Sequence, residues 1–168
     1  MTISMYSASV PPLRRYLTAL SAVLGKGAAF AEAKKIDPAV LLQSRLAPDM
    51  LPLVSQVRIA TDQAKGGVAR LAGIDSPKFA DDETTIPQLQ DRLARAVDFL
   101  SSLTPAQIDG SEGREIVLAM RTGEVRFAGQ DYLLNFVFPN VLFHCTTAYD
   151  ILRHNGVEIG KRDFIGAP

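Results

Sequence analysis

Histidine is scarce in this chain, and where it falls limits the chemistry available. The two histidines are His144 and His154, both in the run Pro139-Asn140-Val141-Leu142-Phe143-His144-Cys145-Thr146-Thr147-Ala148-Tyr149-Asp150-Ile151-Leu152-Arg153-His154-Asn155-Gly156. If that run is a helix, Val141, His144, Ala148 and Ile151 share one arc, so a single imidazole stands among apolar neighbours. Such a group can act as a general base, because its charge changes near neutrality. It can also be a core histidine tied to one hydrogen-bond partner. As a metal ligand it needs help, since zinc usually takes three or four protein ligands. Asp49 and Gln56 lie seven residues apart on an expected second helix and can face His144 across a bundle. With Tyr149 they outline a candidate cleft for a small molecule. Asp49 and His144 are the ligands if a divalent ion such as zinc or nickel is bound, with Gln56, Tyr149 or water completing the shell. No metal or other cofactor is expected from so short a ligand set. The structural alternative is that Asp49 stabilises a helix start and bonds His144 or Arg45 as a polar pair.

Other reactive residue types carry less. Cys145 follows His144 directly, and adjacent helical residues point about 100° apart, so the two form no nucleophile–base pair. A buried thiol is usually an inert packing residue. Tyr149 fits either a ligand contact or a buried ring with its hydroxyl on backbone. Asp81-Asp82-Glu83 lacks the alternating ligands and the glycine of a calcium loop and reads as a solvated loop. Gly25-Lys26-Gly27 lacks the spacing of a phosphate loop. Arg14-Arg15 and Lys34-Lys35 are too sparse for a nucleic-acid surface.

Composition narrows the class further. A chain of 168 residues, 47% hydrophobic and 21% charged, has globular proportions and the length of one domain, taken as residues 1–168. Eighteen basic and eighteen acidic residues cancel, so no net field recruits nucleic acid or an anionic membrane. One cysteine excludes an internal disulfide and fits a reducing compartment. The apolar runs fall short of a membrane span, and no signal-peptide pattern opens the chain. The expected location is cytoplasmic.

The elements that must hold the candidate residues read as follows. Ser9-Val10-Pro11-Pro12 resembles a helix start, and Val10, Leu13, Leu17, Leu20 and Leu24 form its apolar stripe. Gly25 and Gly27 weaken that helix, so Ala28 to Lys35 is expected as a second, offset piece ended by Ile36-Asp37-Pro38. Ala39 to Arg45 makes a turn or two. Pro48-Asp49-Met50 is expected to open the second main helix, with Met50, Leu53, Val57, Ala60, Ala64, Val68 and Leu71 buried and Gly73 at its end. Ile74 to Thr84 is a polar loop. Thr85 and Gln88 match a capping box around Pro87, ahead of the stripe Ile86, Leu89, Leu93, Ala96, Leu100 and Leu103. Thr104-Pro105 stops that helix. Glu115 to Met120, Thr122-Gly123 and Glu124 to Phe127 read as a hairpin that must pack on helices. Gln130 to Phe138 is helical and leads into the last helix, opened by Pro139 and stopped at Gly156. Val157 to Pro168 is a tail whose Ile159, Phe164 and Ile165 dock it.

A resemblance joins these elements. Arg45-Leu46-Ala47-Pro48-Asp49-Met50, Gln56-Val57, Leu71-Ala72-Gly73, Pro139-Asn140, Phe143-His144, Thr147-Ala148-Tyr149, Ile151-Leu152-Arg153, Gly156, Lys161 and Asp163-Phe164 carry it. On these residues the chain resembles the DinB-like (YfiT-like) superfamily, and more narrowly a bacterial branch of it classed as a domain of unknown function. The resemblance implies an all-α, up-down-down-up four-helix bundle with a short β-hairpin before the last helix, and a homodimer. In metal-binding members it also implies three histidine ligands, one on the second helix and two spaced four apart on the last. Here His144 matches the first of that pair, Ala148 stands where the second belongs, and the second helix has no histidine. The expected function is therefore a DinB-like bundle with an incomplete ligand set that binds a small molecule in its cleft. The alternative is a divalent-metal-dependent enzyme of thiol-transferase or hydrolase type using a nonstandard Asp49/His144 site.

Overall fold

The computed structural model describes residues 3–120 and 123–166. Helix α1 spans Met5–Lys34, longer at its start than the prolines suggest and unbroken at Gly25 and Gly27. Ser4 and Ser7 form a reciprocal capping box that fixes the first turn. Pro11 and Pro12 therefore lie inside the helix, where they withhold backbone donors from Ser7, which is exposed, and Ala8, which is half-buried. Gly27 lies hard against Leu152, so packing outweighs its poor propensity. Lys35 ends α1 with φ 55°, and α2 follows as Pro38–Gln43.

Helix α3 spans Leu53–Ala72, so Pro48-Asp49-Met50 is a turn and not a helix start. The reason is Pro52, the N-cap: it lacks an N–H and forces Leu51 to be extended, so the helix cannot begin earlier. Gly66-Gly67 does not disturb α3. A Cβ on Gly67 would sit 2.7 Å from Val137 Cγ1, so glycine is what lets the last helix approach. Helix α4 spans Ile86–Ser102 behind the expected Thr85–Gln88 capping box, and α5 is the short turn Pro105–Ile108.

Strands β1 (Glu115–Met120) and β2 (Gly123–Ala128) pair antiparallel, from Glu115 opposite Ala128 to Met120 opposite Gly123. Thr122, expected in that turn, lies outside the described residues, as do the last two residues of the expected tail. Ile116 and Leu118 are buried, and Phe127 meets Tyr132 and Phe136. Next come α6 (Gly129–Tyr132), one wide π turn (Leu133–Val137) and α7 (Phe138–His154), continuous in backbone conformation. Pro139 removes a donor from the ladder where the wide turn ends, and Asn140 Nδ2 donates to Phe136 O at 2.7 Å. Gly156, at φ 96°, closes α7 with Val157 N–H donating to Leu152 O. The tail docks as expected: α8 (Lys161–Ile165) lies on α1, with Phe164 between Tyr16 and Tyr149 and Lys26 paired to Asp163.

Contacts fix the helix directions. Gly25 of α1 faces Gln90 of α4 while Tyr6 N–H bonds Asp109 just beyond it, so α1 and α4 are antiparallel. Arg58 meets Glu83 while Asp62 meets Arg92, so α3 and α4 run together. Gly67 meets Val137 while Gln56 meets His144, so α3 and α7 are opposed. Gly27 meets Leu152 and Gly156 nears Phe30, so α1 and α7 are parallel. The bundle is up-down-down-up, and residues 73–85 carry the chain back along it.

Candidate functional site

The α3/α7 seam brings together two of the four candidate residues. Gln56 lies in the first turn of α3 at 2% exposure, and His144 lies in α7, half-buried. His144 Nδ1 is 2.7 Å from Gln56 Oε1, and Gln56 Nε2 donates to Leu51 O at 2.9 Å. The extended stretch before Pro52 supplies that carbonyl, so the same proline that delays α3 also orients Gln56. Burial holds the His144 pKa below its ordinary value, which favours the neutral ring. His144 Nε2 has no protein partner among the described residues. It is also not one of the sealed orphans, which among those residues are Ser76 Oγ and Ser111 Oγ. Phe143 stands edge-on to the imidazole, 5.3 Å between centroids, and is 56% exposed.

The other two candidates lie elsewhere. Asp49 is exposed in the turn before α3, where the neighbouring Arg45 guanidinium donates to Met50 O. Tyr149 turns to the α1/α8 side, its ring edge-on to Phe164 and its hydroxyl 3.4 Å from Ile159 O. Cys145 is on that side too, and burial pushes its thiol up to about 12, so it is not a nucleophile at neutral pH. The larger concavities are also away from His144. One of about 670 Å³ lies beside Arg70, Ile74 and Arg114, one of about 630 Å³ between Ala31, Ile36, Thr85 and Ile86, and one of about 510 Å³ beside Arg14, Arg15 and Arg162.

A second polar cluster corrects the reading of residues 81–83 as wholly solvated. Glu83 is 5% exposed and Arg92 fully buried. The Arg92 guanidinium donates to Thr61 Oγ1 at 2.7 Å, Ala80 O at 2.8 Å, Glu83 Oε1 at 2.9 Å and Asp62 Oδ1 at 2.9 Å, and pairs with Asp81 at 3.0 Å. Arg58 holds the other Glu83 oxygen at 2.8 Å. Burial alone would raise the Glu83 carboxyl, but hydrogen bonds from Arg92, its own backbone and Arg58 hold it below its ordinary 4.5. Phe79 closes the cluster beneath Lys65, Arg92 and Arg95. One sequence signal marks Arg92: it follows Leu89 by three and precedes Ala96 by four, which puts it on the buried face.

A family model described as a domain of unknown function, DUF1993, matches residues 5–165. The chain belongs to the DUF1993 family. It is also similar to a crystal structure of a DinB family member protein from Shewanella denitrificans, with 42% identity and a TM-score of 0.89 over 97% of this chain and 92% of that one. No curated protein matches. This DUF1993 chain thus has a DinB-like bundle, and no helix among its described residues is long and apolar enough to cross a membrane. The three-histidine metal site of DinB-like members does not fit it. Gln56 occupies the α3 side of the seam, Ala148 follows His144 by four, and no three His, Cys, Asp or Glu side chains converge among the described residues.

Proposed function

We propose that this DUF1993 chain binds a small molecule at the α3/α7 seam through His144, without a metal held by protein side chains. The reading is carried by one observation: a half-buried imidazole has one ring nitrogen occupied by Gln56 and the other left without a protein partner. Because Nε2 is not sealed from solvent, a ligand can reach it. The ring is neutral at physiological pH, so it can accept a hydrogen bond or a proton from whatever occupies the seam. Elemental analysis of protein purified without chelator or affinity tag tests the reading. The expected result is zinc, nickel and iron far below one equivalent. Near-stoichiometric metal that is lost in His144→Ala, with the fold intact, would overturn it in favour of the Asp49/His144 enzyme.

A further inference from the structure

We infer that Gln56 fixes His144 as the Nδ1-protonated tautomer, and that the ligand at Nε2 is an uncharged molecule with an apolar or aromatic body and one O–H or N–H donor. This rests on the reading of the seam as a small-molecule site. The tautomer follows from Leu51. Its backbone carbonyl only accepts, so the Gln56 group 2.9 Å away must be the amide nitrogen. The flipped amide would set two oxygens against each other. Gln56 Oε1 therefore faces His144 Nδ1 at 2.7 Å, and an acceptor there requires the proton on Nδ1. In a neutral ring Nε2 is then a lone pair. Burial opposes protonation of both nitrogens, which supports the same state.

A lone pair repels a carboxylate or phosphate and accepts from a donor. No charged side chain among the described residues hydrogen-bonds the ring, and the guanidinium of Arg45 is held on the neighbouring Met50 O instead. The side chain shown against the ring is apolar, Phe143, edge-on and 56% exposed, and Leu51, whose carbonyl anchors Gln56, is 47% exposed on the α3 side. Phenol, benzoate and benzylammonium offer nearly the same body in three charge states and are the probes.

The test is nitrogen NMR of the full chain labelled at histidine, with His154→Gln assigning the two rings. His144 is expected to show a protonated Nδ1 and a bare Nε2 without ligand. Phenol should shift Nε2 saturably, and benzoate and benzylammonium should not. Gln56→Leu should average the tautomers and weaken phenol about tenfold, the size of one hydrogen bond. A bare Nδ1 in the wild type, or saturation by either ion in preference to phenol, overturns the ligand class while the small-molecule reading stands. No shift with any probe overturns the ligand class as well. One equivalent of zinc found on Nε2 in protein as purified overturns the small-molecule reading itself. Sedimentation showing a dimer that Phe143→Ser converts to monomer assigns the apolar rim to a second copy and also overturns the ligand class.

Discussion

Arg92 and His144 are both polar side chains set against α3, and the bundle completes one and leaves the other open. Around Arg92, donors on Nε and both terminal nitrogens meet Thr61, Ala80, Glu83 and Asp62, and Arg58 binds the remaining Glu83 oxygen. Such a network ties residues 80–83 to α3 and α4, and each nitrogen of the Arg92 guanidinium has a partner in it. At His144 a single hydrogen bond to Gln56 Oε1 sets the ring, and the opposite nitrogen has no protein partner among the described residues. Burial and charge thus mark the Arg92 cluster as architecture, while incompleteness is what makes His144 the position at which we propose a ligand. A shifted pKa alone would not separate the two, since Glu83 and His144 are both shifted and Glu83 is committed to Arg92 and Arg58.

The largest test of this contrast is Arg92→Leu. It leaves the buried Glu83 carboxylate with Arg58 alone, and breaking a buried pair by removing one partner costs about 3–5 kcal/mol of stability, here toward the lower end. Urea unfolding should show a midpoint lowered accordingly, with the double variant Arg92→Leu/Glu83→Leu recovering part of the loss because the buried carboxylate goes with its partner and the charges left, Arg58 and Asp62, reach solvent. The same carboxylate sets an acid limit. Its folded pKa lies below the ordinary 4.5, so its stabilisation is complete above that value and lost as pH falls through the lower folded one. Stability measured from pH 5 to 2 should fall in the wild type and fall less steeply in Glu83→Gln. Gly67→Ala is next in size. Its Cβ would press on Val137, and overpacking costs about 1–3 kcal/mol, read as a lower melting temperature.

Gln56→Ala should matter less to stability and more to the ring. Losing one hydrogen bond costs about 1 kcal/mol in unfolding, while the His144 tautomer becomes mixed. The smallest effect is near neutrality. Burial lowers the folded His144 pKa below its ordinary 6.5, so the unfolded chain takes up its proton first and stability declines as pH falls below 6.5 toward the folded value. That slope should vanish in His144→Gln while the acid slope from Glu83 persists.

Much of the scaffold was legible because it depends on periodicity. Leu13, Leu17 and Leu24 of α1, Val57, Ala64 and Val68 of α3, and Leu89, Leu93 and Leu100 of α4 are all buried as their spacing requires. Local chemistry was legible where the signal is self-contained, as in Thr85 with Gln88 or Gly156 at the end of α7. Errors arose where one residue overrides its neighbours. Pro52 cancels the helix start that Pro48-Asp49 suggests and so leaves Asp49 in an exposed turn. Gly27 looks like a weak point until Leu152 is packed against it. At the site, the pairing of Gln56 with His144 spans 88 residues, and its geometry depends on a carbonyl before Pro52. The Arg92–Glu83 network likewise joins segments whose meeting is fixed only by the long return of residues 73–85.

The wide turn at Leu133–Val137 sets the phase of everything after it. An α-helix advances about 100° per residue, so each residue gained or lost in that turn rotates α7 by that amount relative to Tyr132 beneath the hairpin. A deletion there would swing Val141, Ala148 and Ile151 off the core and carry the imidazole out of reach of Gln56. Substitutions in this short segment are therefore far easier to accommodate than any change in its length.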